Sequence, residues 1–277
     1  MKIKVVFCEG VHDIAYIDKI MKVHGYKDYI KDDPSKYPYP INNIIATNAQ
    51  KLCIFKGKDS RVPFCALYKD DDLILFHKMD GDGKVERIKG LISQYVECKE
   101  ALNFDNPDDV KSIDYYIFYD ADTIGVNARL DAIRNTFCDE FGIPKEGISQ
   151  GEVCQGENAN IGVYIFHDPD DDEKKGVLED QLLKLMKHSN ESIFANASSY
   201  LEDNQLPTDR RLKYNPLEDK MVGKDNNYKY KKSLIGIAGQ LQFSGVDNTT
   251  IIEYSDYIKK DDILSSTECN IIHKLLS

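Results

Sequence analysis

The chain has 277 residues, of which 42% are hydrophobic and 30% charged, a composition typical of a folded globular protein and unlike that of a disordered one. Its formal net charge of −11 argues against a protein that coats nucleic acid passively, because such proteins are basic. No apolar run approaches the roughly 20 residues that span a bilayer, so we expect no membrane partner. Seven scattered cysteines, an early acidic residue and the lack of a secretory signal predict a reduced, cytoplasmic protein.

The first part of the chain alternates between strand-like and helix-like segments. Residues 3–8 form a continuous apolar run typical of a strand buried on both faces, and residues 13–23 follow with the apolar spacing of a helix. Residues 27–43, rich in charged residues, proline and tyrosine, are predicted to form a loop. A helix is predicted at residues 85–102. Three short strand-like runs precede it, at residues 51–55, 63–68 and 72–78.

Two more strands are predicted in the middle of the chain. Residues 114–119 form a second buried strand followed by a helix at 127–141, and residues 161–166 form a third strand. The remaining periodic segments have helical spacing, at residues 177–188, 191–202 and 232–243. The alternation predicts an α/β domain over residues 1–170, with a mainly parallel sheet flanked by helices. Residues 171–277 are predicted to form a largely helical C-terminal extension packed on that domain.

Acidic residues follow two of the predicted buried strands. Glu9 and Asp13 come directly after the first strand, and Asp120 and Asp122 come directly after the second. Because ligands bind at the carboxyl ends of parallel strands, we expect these four carboxylates to share one site. Such crowding is costly unless a cation lies among them, and Mg²⁺ prefers a few carboxylates together with water and phosphate. Taken alone, Asp13 is more simply interpreted as a helix cap.

This arrangement resembles the Toprim domain, which topoisomerases, primases, OLD-family nucleases and small RNA-maturation nucleases share. In that family a glutamate after the first strand and an Asp-x-Asp pair after a later strand surround one or two magnesium ions. The resemblance covers roughly residues 1–170. It implies that Glu9 is a metal ligand or a general acid or base, and that Asp120 and Asp122 are the metal-binding pair.

Two longer strings resemble, more narrowly, a group of stand-alone Toprim-like proteins without an assigned function, related to the Toprim part of OLD nucleases. The strings run from Asp120 to Arg129 and from residue 166 to Asp180. This resemblance implies that Glu179 or Asp180 joins the acidic site. Acidic residues are equally favoured at the beginning of a helix, which leaves that alternative open. We expect neither a full OLD-type architecture nor the zinc module of a primase nor the strand-passage machinery of a topoisomerase.

Basic residues offer candidate contacts for a substrate. Lys231 and Lys232 end a cluster of lysines and tyrosines that suits phosphate contact and base stacking, although a solvated loop is the simpler interpretation. Arg129, on the helix after the aspartate pair, either contacts phosphate or forms a surface ion pair. His12 and His167 neighbour the acidic motifs and either assist proton transfer or lie exposed to solvent.

The sequence therefore predicts a phosphodiester-processing enzyme that depends on Mg²⁺ or Mn²⁺, a nuclease acting on DNA or RNA. Asp120, Asp122, Glu9 and Glu179 are the predicted metal ligands, and Glu9 and Asp13 the predicted catalytic residues. The alternative is a Toprim-fold module that binds a nucleotide, a nucleic acid or a protein without cleavage. Such a module would serve as the partner of a separate ATPase in defence or repair.

Overall fold

The structure is a computed structural model, and it describes the whole chain except residues 30–32, 56–61, 80–84, 101–109, 142–146, 157–158, 208–209, 216–219 and 225–228. The strands in the described part are β1 (Lys2–Cys8), β2 (Lys27–Asp28), β3 (Cys65–Lys69), β4 (Asp72–Lys78), β5 (Ser112–Asp120), β6 (Glu152–Cys154), β7 (Ile161–Phe166), β8 (Leu212–Asn215) and β9 (Lys220–Lys224). The α-helices are α1 (Val11–Val23), α2 (Ile41–Phe55), α3 (Val85–Glu100), α4 (Gly125–Phe141), α5 (Leu178–Lys187), α6 (Glu191–Asp203), α7 (Tyr230–Gln240), α8 (Asn248–Tyr254), α9 (Lys260–Ser265) and α10 (Thr267–Leu275).

A seven-stranded sheet with the order β2-β3-β4-β1-β5-β7-β6 forms the centre of the fold. Its four inner strands, β4, β1, β5 and β7, run parallel, whereas β2, β3 and β6 pair antiparallel at the two sides. Strand β1 is buried on both faces from Ile3 to Cys8, as its continuous apolar sequence predicts. The predicted α/β class, with a mainly parallel sheet flanked by helices and a helical C-terminal region, is confirmed.

Alternate residues of each strand build the two faces of the sheet. Ile3, Val5 and Phe7 belong to one buried apolar cluster with side chains from α2, α3 and α4. On the opposite face, Tyr16 of α1 packs against Phe166 of β7, with 6.2 Å between the ring centroids. Each fully buried side chain of this size stabilises the fold by about 1.5–3 kcal/mol. The packing therefore fixes the strand ends from which the acidic residues emerge.

Three local predictions differ from the structure. Residues 51–55, predicted as a strand, form the end of α2, because that short apolar run continues a helix that starts at Ile41. The predicted loop at 27–43 contains β2 and the beginning of the same helix. The C-terminal region, predicted to be helical, contains the hairpin of β8 and β9.

The chain divides into two compact units. The first comprises Met1–Gln181 together with Lys260–Ser277, and the second comprises Leu182–Lys259. The sequence predicts a boundary at residue 170, whereas in the structure the first unit continues to Gln181 and also includes α10, the last helix of the chain. In that unit the Lys4 ammonium donates to the Leu276 carbonyl oxygen at 2.9 Å. No helix among the described residues has the length and apolar character needed to cross a membrane.

Candidate active site

Glu9 and Asp13 lie where β1 passes into α1. Gly10 is the residue before the helix, and its backbone N–H donates to Oδ2 of Asp13 at 2.7 Å. Asp13 is the third residue of the helix, and its hydrogen bond with Gly10, the N-cap residue, fixes the turn that carries Glu9. Asp13 is buried, with 6% of its surface exposed, and Glu9 is half-buried. The predicted catalytic Asp13 therefore acts in this structure as a helix cap beside Glu9.

Asp120 ends β5 and points toward the beginning of α5. Its Oδ1 accepts the backbone N–H of Leu178 at 2.8 Å, so the carboxylate caps that helix. Burial, together with the charges of Asp13, Glu9 and Glu179, raises the pKa of Asp120 from its usual 3.8 to about 8, while the Leu178 N–H opposes the shift. We call Glu9, Asp13, Asp120 and Glu179 the carboxylate cluster. It lies at the carboxyl edge of the parallel strands, as the strand ends predict for Glu9, Asp13 and Asp120 and as the family resemblance implies for Glu179.

Glu179 joins the cluster from the first turn of α5. It is 3% exposed, and its Oε1 lies 3.3 Å from Nδ1 of His12 in α1. The neighbouring Asp180 instead accepts the backbone N–H of Val177 at 2.9 Å and caps the helix. Of the two alternatives that the sequence left open, the structure brings Glu179 to the site and gives Asp180 the capping role.

Asp122 has a different environment from the other predicted ligands. Its φ is +49°, and its Oδ2 accepts a hydrogen bond from Nη2 of Arg129 at 2.7 Å. Nε of Arg129 donates to the Asp120 carbonyl oxygen at 3.0 Å, and the guanidinium lies 5.7 Å from the ring centroid of Tyr119. The backbone is held as well, since the N–H of Gly176 donates to the Asp122 carbonyl oxygen at 2.8 Å. Of the two alternatives for Arg129, contact with substrate phosphate or an ion pair, the structure shows an ion pair, with Asp122 of the aspartate turn.

The chemistry of the carboxylate cluster suits a hard divalent cation. Burial is the main cause of the raised pKa of Asp120, and repulsion from the neighbouring carboxylates adds to it; a cation that takes oxygen ligands would relieve this repulsion. Within the described part of the chain, however, no three aspartate, glutamate, histidine or cysteine side chains are arranged to hold a metal ion. The donor types therefore fit Mg²⁺, but binding would require carboxylates to rotate away from their present protein partners.

The remaining candidates lie elsewhere or have structural roles. Lys231 and Lys232 lie in the first turn of α7, in the second unit, and residues 225–228 of the same basic cluster lie outside the described residues. Tyr230 is hydrogen-bonded through its hydroxyl to Ser198, so its ring is held by α6. His167 is 7% exposed, with Nδ1 3.0 Å from the Ile165 carbonyl oxygen, and is not the solvent-exposed histidine that the sequence had suggested as one alternative.

Two contacts that hold the site in place have no signal in the local sequence pattern or only a weak one. The contact between His12 and Glu179 joins residues 167 positions apart, which no local pattern reveals. Gln181, 2% exposed, also escaped notice; its amide donates to the His167 carbonyl oxygen at 3.2 Å and ties α5 to β7. Gln181 lies on the inner, apolar face of the strongly amphipathic helix α5, and a polar residue in that position indicates a buried polar contact.

Comparisons with known proteins show the family and the fold. The family of proteins of unknown function DUF3226 matches residues 3–222, which is more than half of the chain. No curated protein gives a significant match. Among solved structures, the crystal structure of the hypothetical protein PH0156 from Pyrococcus horikoshii OT3 is similar, with a TM-score of 0.62 and 16% identity, and the match covers 100% of both chains. At this identity the likeness concerns the fold alone.

Proposed function

We propose a function from the site itself, because the chain belongs to DUF3226, a family of proteins of unknown function. The proposed activity is that of a Toprim-like, magnesium-dependent nuclease that cleaves phosphodiester bonds in DNA or RNA. The observation that carries it is the grouping of Glu9, Asp13, Asp120 and Glu179 at the carboxyl edge of the parallel strands, where α/β folds bind their ligands. Mn²⁺ would serve in place of Mg²⁺.

Each member of the cluster has a distinct proposed role. Asp120 and Glu179 would hold the metal through their oxygens, with Glu9 beside them. A bound Mg²⁺ supplies charge that polarises the phosphate and lowers the pKa of a bound water. Glu9 takes up or donates the proton of the reaction as general base or acid. Asp13 keeps the turn at Gly10 in place, so its effect on catalysis comes through the position of Glu9.

Electrostatics supports a metal-dependent reaction over a metal-free one. The ionised carboxylates of the cluster, in a chain of net charge −11, would repel the phosphate of a nucleic acid. A cation bridging carboxylate and phosphate removes this repulsion. Lys231 and Lys232 of the second unit are the proposed contacts to the substrate backbone, where lysines act as point charges. The proposed compartment is the cytoplasm, in keeping with the free cysteines, of which Cys8 is buried.

The nuclease proposal is tested with purified protein and a panel of single- and double-stranded DNA and RNA. Cleavage should appear with Mg²⁺ or Mn²⁺ and vanish with EDTA. Asp120→Asn should lower the rate at least about 100-fold, because the amide keeps the shape and loses the charge. Asp131→Asn is the matched control, since Asp131 is an exposed residue of α4 in an ion pair with Arg134. Equal rates for the wild type and Asp120→Asn would rule out this active site.

A second candidate function is a module that binds a nucleotide, a nucleic acid or a protein without cleaving it, working beside a separate ATPase. It is favoured by one observation: several candidate carboxylates already have partners within the protein. These pairs are Asp13 with Gly10, Asp120 with Leu178, Glu179 with His12 and Asp122 with Arg129. Binding of nucleic acid in EDTA, with no cleavage under any metal condition, would favour this function over the nuclease.

A further inference from the structure

The short helix α10 is held against α1 and β1 by contacts along its whole length. Near its beginning, the Cys269 thiol lies 3.2 Å from the Tyr16 hydroxyl, and just after its end the Leu276 carbonyl oxygen accepts the Lys4 ammonium at 2.9 Å. Between these contacts, Ile272 is fully buried. A helix of nine residues is too short to be stable alone in water, so α10 depends on the contacts that dock it.

Two histidines stack where α10 meets the end of α1. His24 follows α1 directly, and His273 lies in the last turn of α10; their ring centroids are 3.5 Å apart and their planes differ by 7°. Nε2 of His24 is buried and finds no hydrogen-bond partner within the described part of the chain. Two neutral rings can pack face to face in this way, whereas an imidazolium on each side would bring like charges into contact.

The charges around this histidine pair are mainly positive. Nζ of Lys69 in β3 donates to the His24 carbonyl oxygen at 3.0 Å, and the charge of Lys4 in β1 acts on His273. Asp72 in β4 offsets part of this charge, since it pairs with Lys4 at 2.6 Å. Over the residues that the structure describes, neither imidazole forms an ion pair with a carboxylate. The remaining charged residues of the two helix ends are Lys22, which pairs with Asp18 and Asp28, and the exposed Lys274.

These surroundings oppose protonation of the docked pair. Burial first, and then the charge of Lys69, lower the pKa of His24, and burial, His24, Lys69 and Lys4 lower the pKa of His273. The C-terminal ends of α1 and α10 favour a cation, but burial and the neighbouring charges outweigh them. Once α10 leaves, the solvated rings take up protons near their ordinary pKa of about 6.5. The released state therefore binds more protons than the docked state, and acid favours release.

We propose that the contact between His24 and His273 is an acid-sensitive latch, which docks α10 at neutral pH and releases it as the pH falls below about 6.5. Release exposes Cys269, Ile272 and Leu275, which are buried in the docked helix. The latch lies at the end of α1, whereas the carboxylate cluster lies at its beginning, so this inference is independent of the proposed nuclease.

Amide hydrogen exchange of the full chain, followed by mass spectrometry at about pH 7.5 and about pH 5.5, tests the latch. After correction for intrinsic exchange rates, the protection of α10 amides should fall in acid at least about tenfold more than that of β5 amides. The reason is that each proton taken up on release shifts the equilibrium by up to about tenfold per pH unit. Cys269 should also react faster in acid with a disulfide reagent that remains active there, and the labelled cysteine is identified by mass spectrometry.

Three variants separate the latch from other effects of acid. His273→Phe keeps a flat ring but cannot take up a proton, so the protection of α10 should be nearly the same at both pH values. His24→Phe tests the same contact from the side of α1 and should give the same result. His188→Phe is the matched control, since His188 is an exposed histidine of the second unit. This variant should lose α10 protection in acid as the wild type does.

Several results would overturn the inference. Undiminished α10 protection in the acidified wild type would show that protonation does not release the helix. An equal loss of protection in β5 would indicate general acid unfolding, and an equal loss in His273→Phe would assign the effect to another group. If neither phenylalanine variant folds, NMR titration of the wild-type imidazoles decides. Both must become protonated over the pH range in which α10 loses protection, and titration outside that range would reject the latch.

Discussion

Asp120→Asn should stabilise the metal-free protein at neutral pH. Burial first, and then the charges of neighbouring carboxylates, raise the pKa of Asp120 from 3.8 to about 8. The unfolded chain loses this proton above about pH 4, whereas the folded protein retains it until about pH 8. The folded state thus binds more protons over this range, and its stability falls as the pH rises. An asparagine has no such proton, so the variant escapes this loss.

The size of the effect follows from the same shift. One pKa unit corresponds to about 1.4 kcal/mol, so the interval from 3.8 to pH 7 amounts to roughly 4 kcal/mol. The amide oxygen can still accept the Leu178 N–H, but the amide NH₂ replaces a carboxyl OH in a mostly buried position, and an unsatisfied N–H there costs about 1–3 kcal/mol. We expect Asp120→Asn to raise the free energy of unfolding by about 1–3 kcal/mol at pH 7.

Urea unfolding in EDTA measures this difference. The wild type, Asp120→Asn and the control Asp131→Asn are compared from about pH 5 to about pH 8. The gap between Asp120→Asn and the wild type should widen with rising pH, while Asp131→Asn should stay parallel to the wild type. A gap that is constant or shrinks with rising pH would refute the electrostatic account of the cluster.

Three further predictions concern a glycine beside the aspartate turn, a pair of stacked histidines and the effect of Mg²⁺ on thermal stability. Gly176→Ala should lower the free energy of unfolding by about 2 kcal/mol or more in urea titrations. The reason is that Gly176 has a φ of +119° and an added Cβ would lie 2.6 Å from the Asp168 nitrogen. The control Gly90→Ala, where an added Cβ would have open space around it, should be neutral or stabilising. The ring centroids of His24 and His273 lie 3.5 Å apart, and burial lowers the pKa of each imidazole. The protein should therefore lose stability as the pH falls below about 6.5, and His273→Gln should make the melting temperature depend less on pH. An unchanged pH dependence in this variant would contradict the prediction. Adding Mg²⁺ should raise the melting temperature of the wild type, by an amount that grows with the logarithm of its concentration, and should do less for a variant with a neutral amide in the cluster.

The central strands could be predicted from the sequence because they are buried on both faces. Such strands are continuous apolar runs, and those of β1, β5 and β7 contrast with the periodic helices between them. The prediction of a strand at residues 51–55 was wrong, because a short apolar run shows no periodicity and here continues the helix that precedes it. The antiparallel pair of β8 and β9 was not predicted for another reason: its short polar strands show no alternation of apolar residues.

The site was predictable only as far as strand ends determine it. Glu9 and Asp120 follow buried parallel strands, so their proximity is a consequence of the topology. The capping role of Asp13 follows from its position, but the partners of Asp120 and Glu179 were not predictable, because they depend on side-chain directions after long-range packing. Asp122 follows the same strand as Asp120, yet its positive φ turns its carboxylate to Arg129. The Toprim assignment and the metal remain predictions.

The placement of α10 has a consequence for how the protein is made. The second unit is an insertion in the sequence of the first, so a ribosome must synthesise all of it before α10 emerges. Only then can Cys269 meet the hydroxyl of Tyr16, 3.2 Å away in the folded protein, and the Leu276 carbonyl meet Lys4. Contacts of such sequence separation form late and slowly. Until α10 is synthesised, the apolar surface that it covers stays exposed to solvent. The protein is therefore most prone to aggregate, and most in need of a chaperone, during this interval.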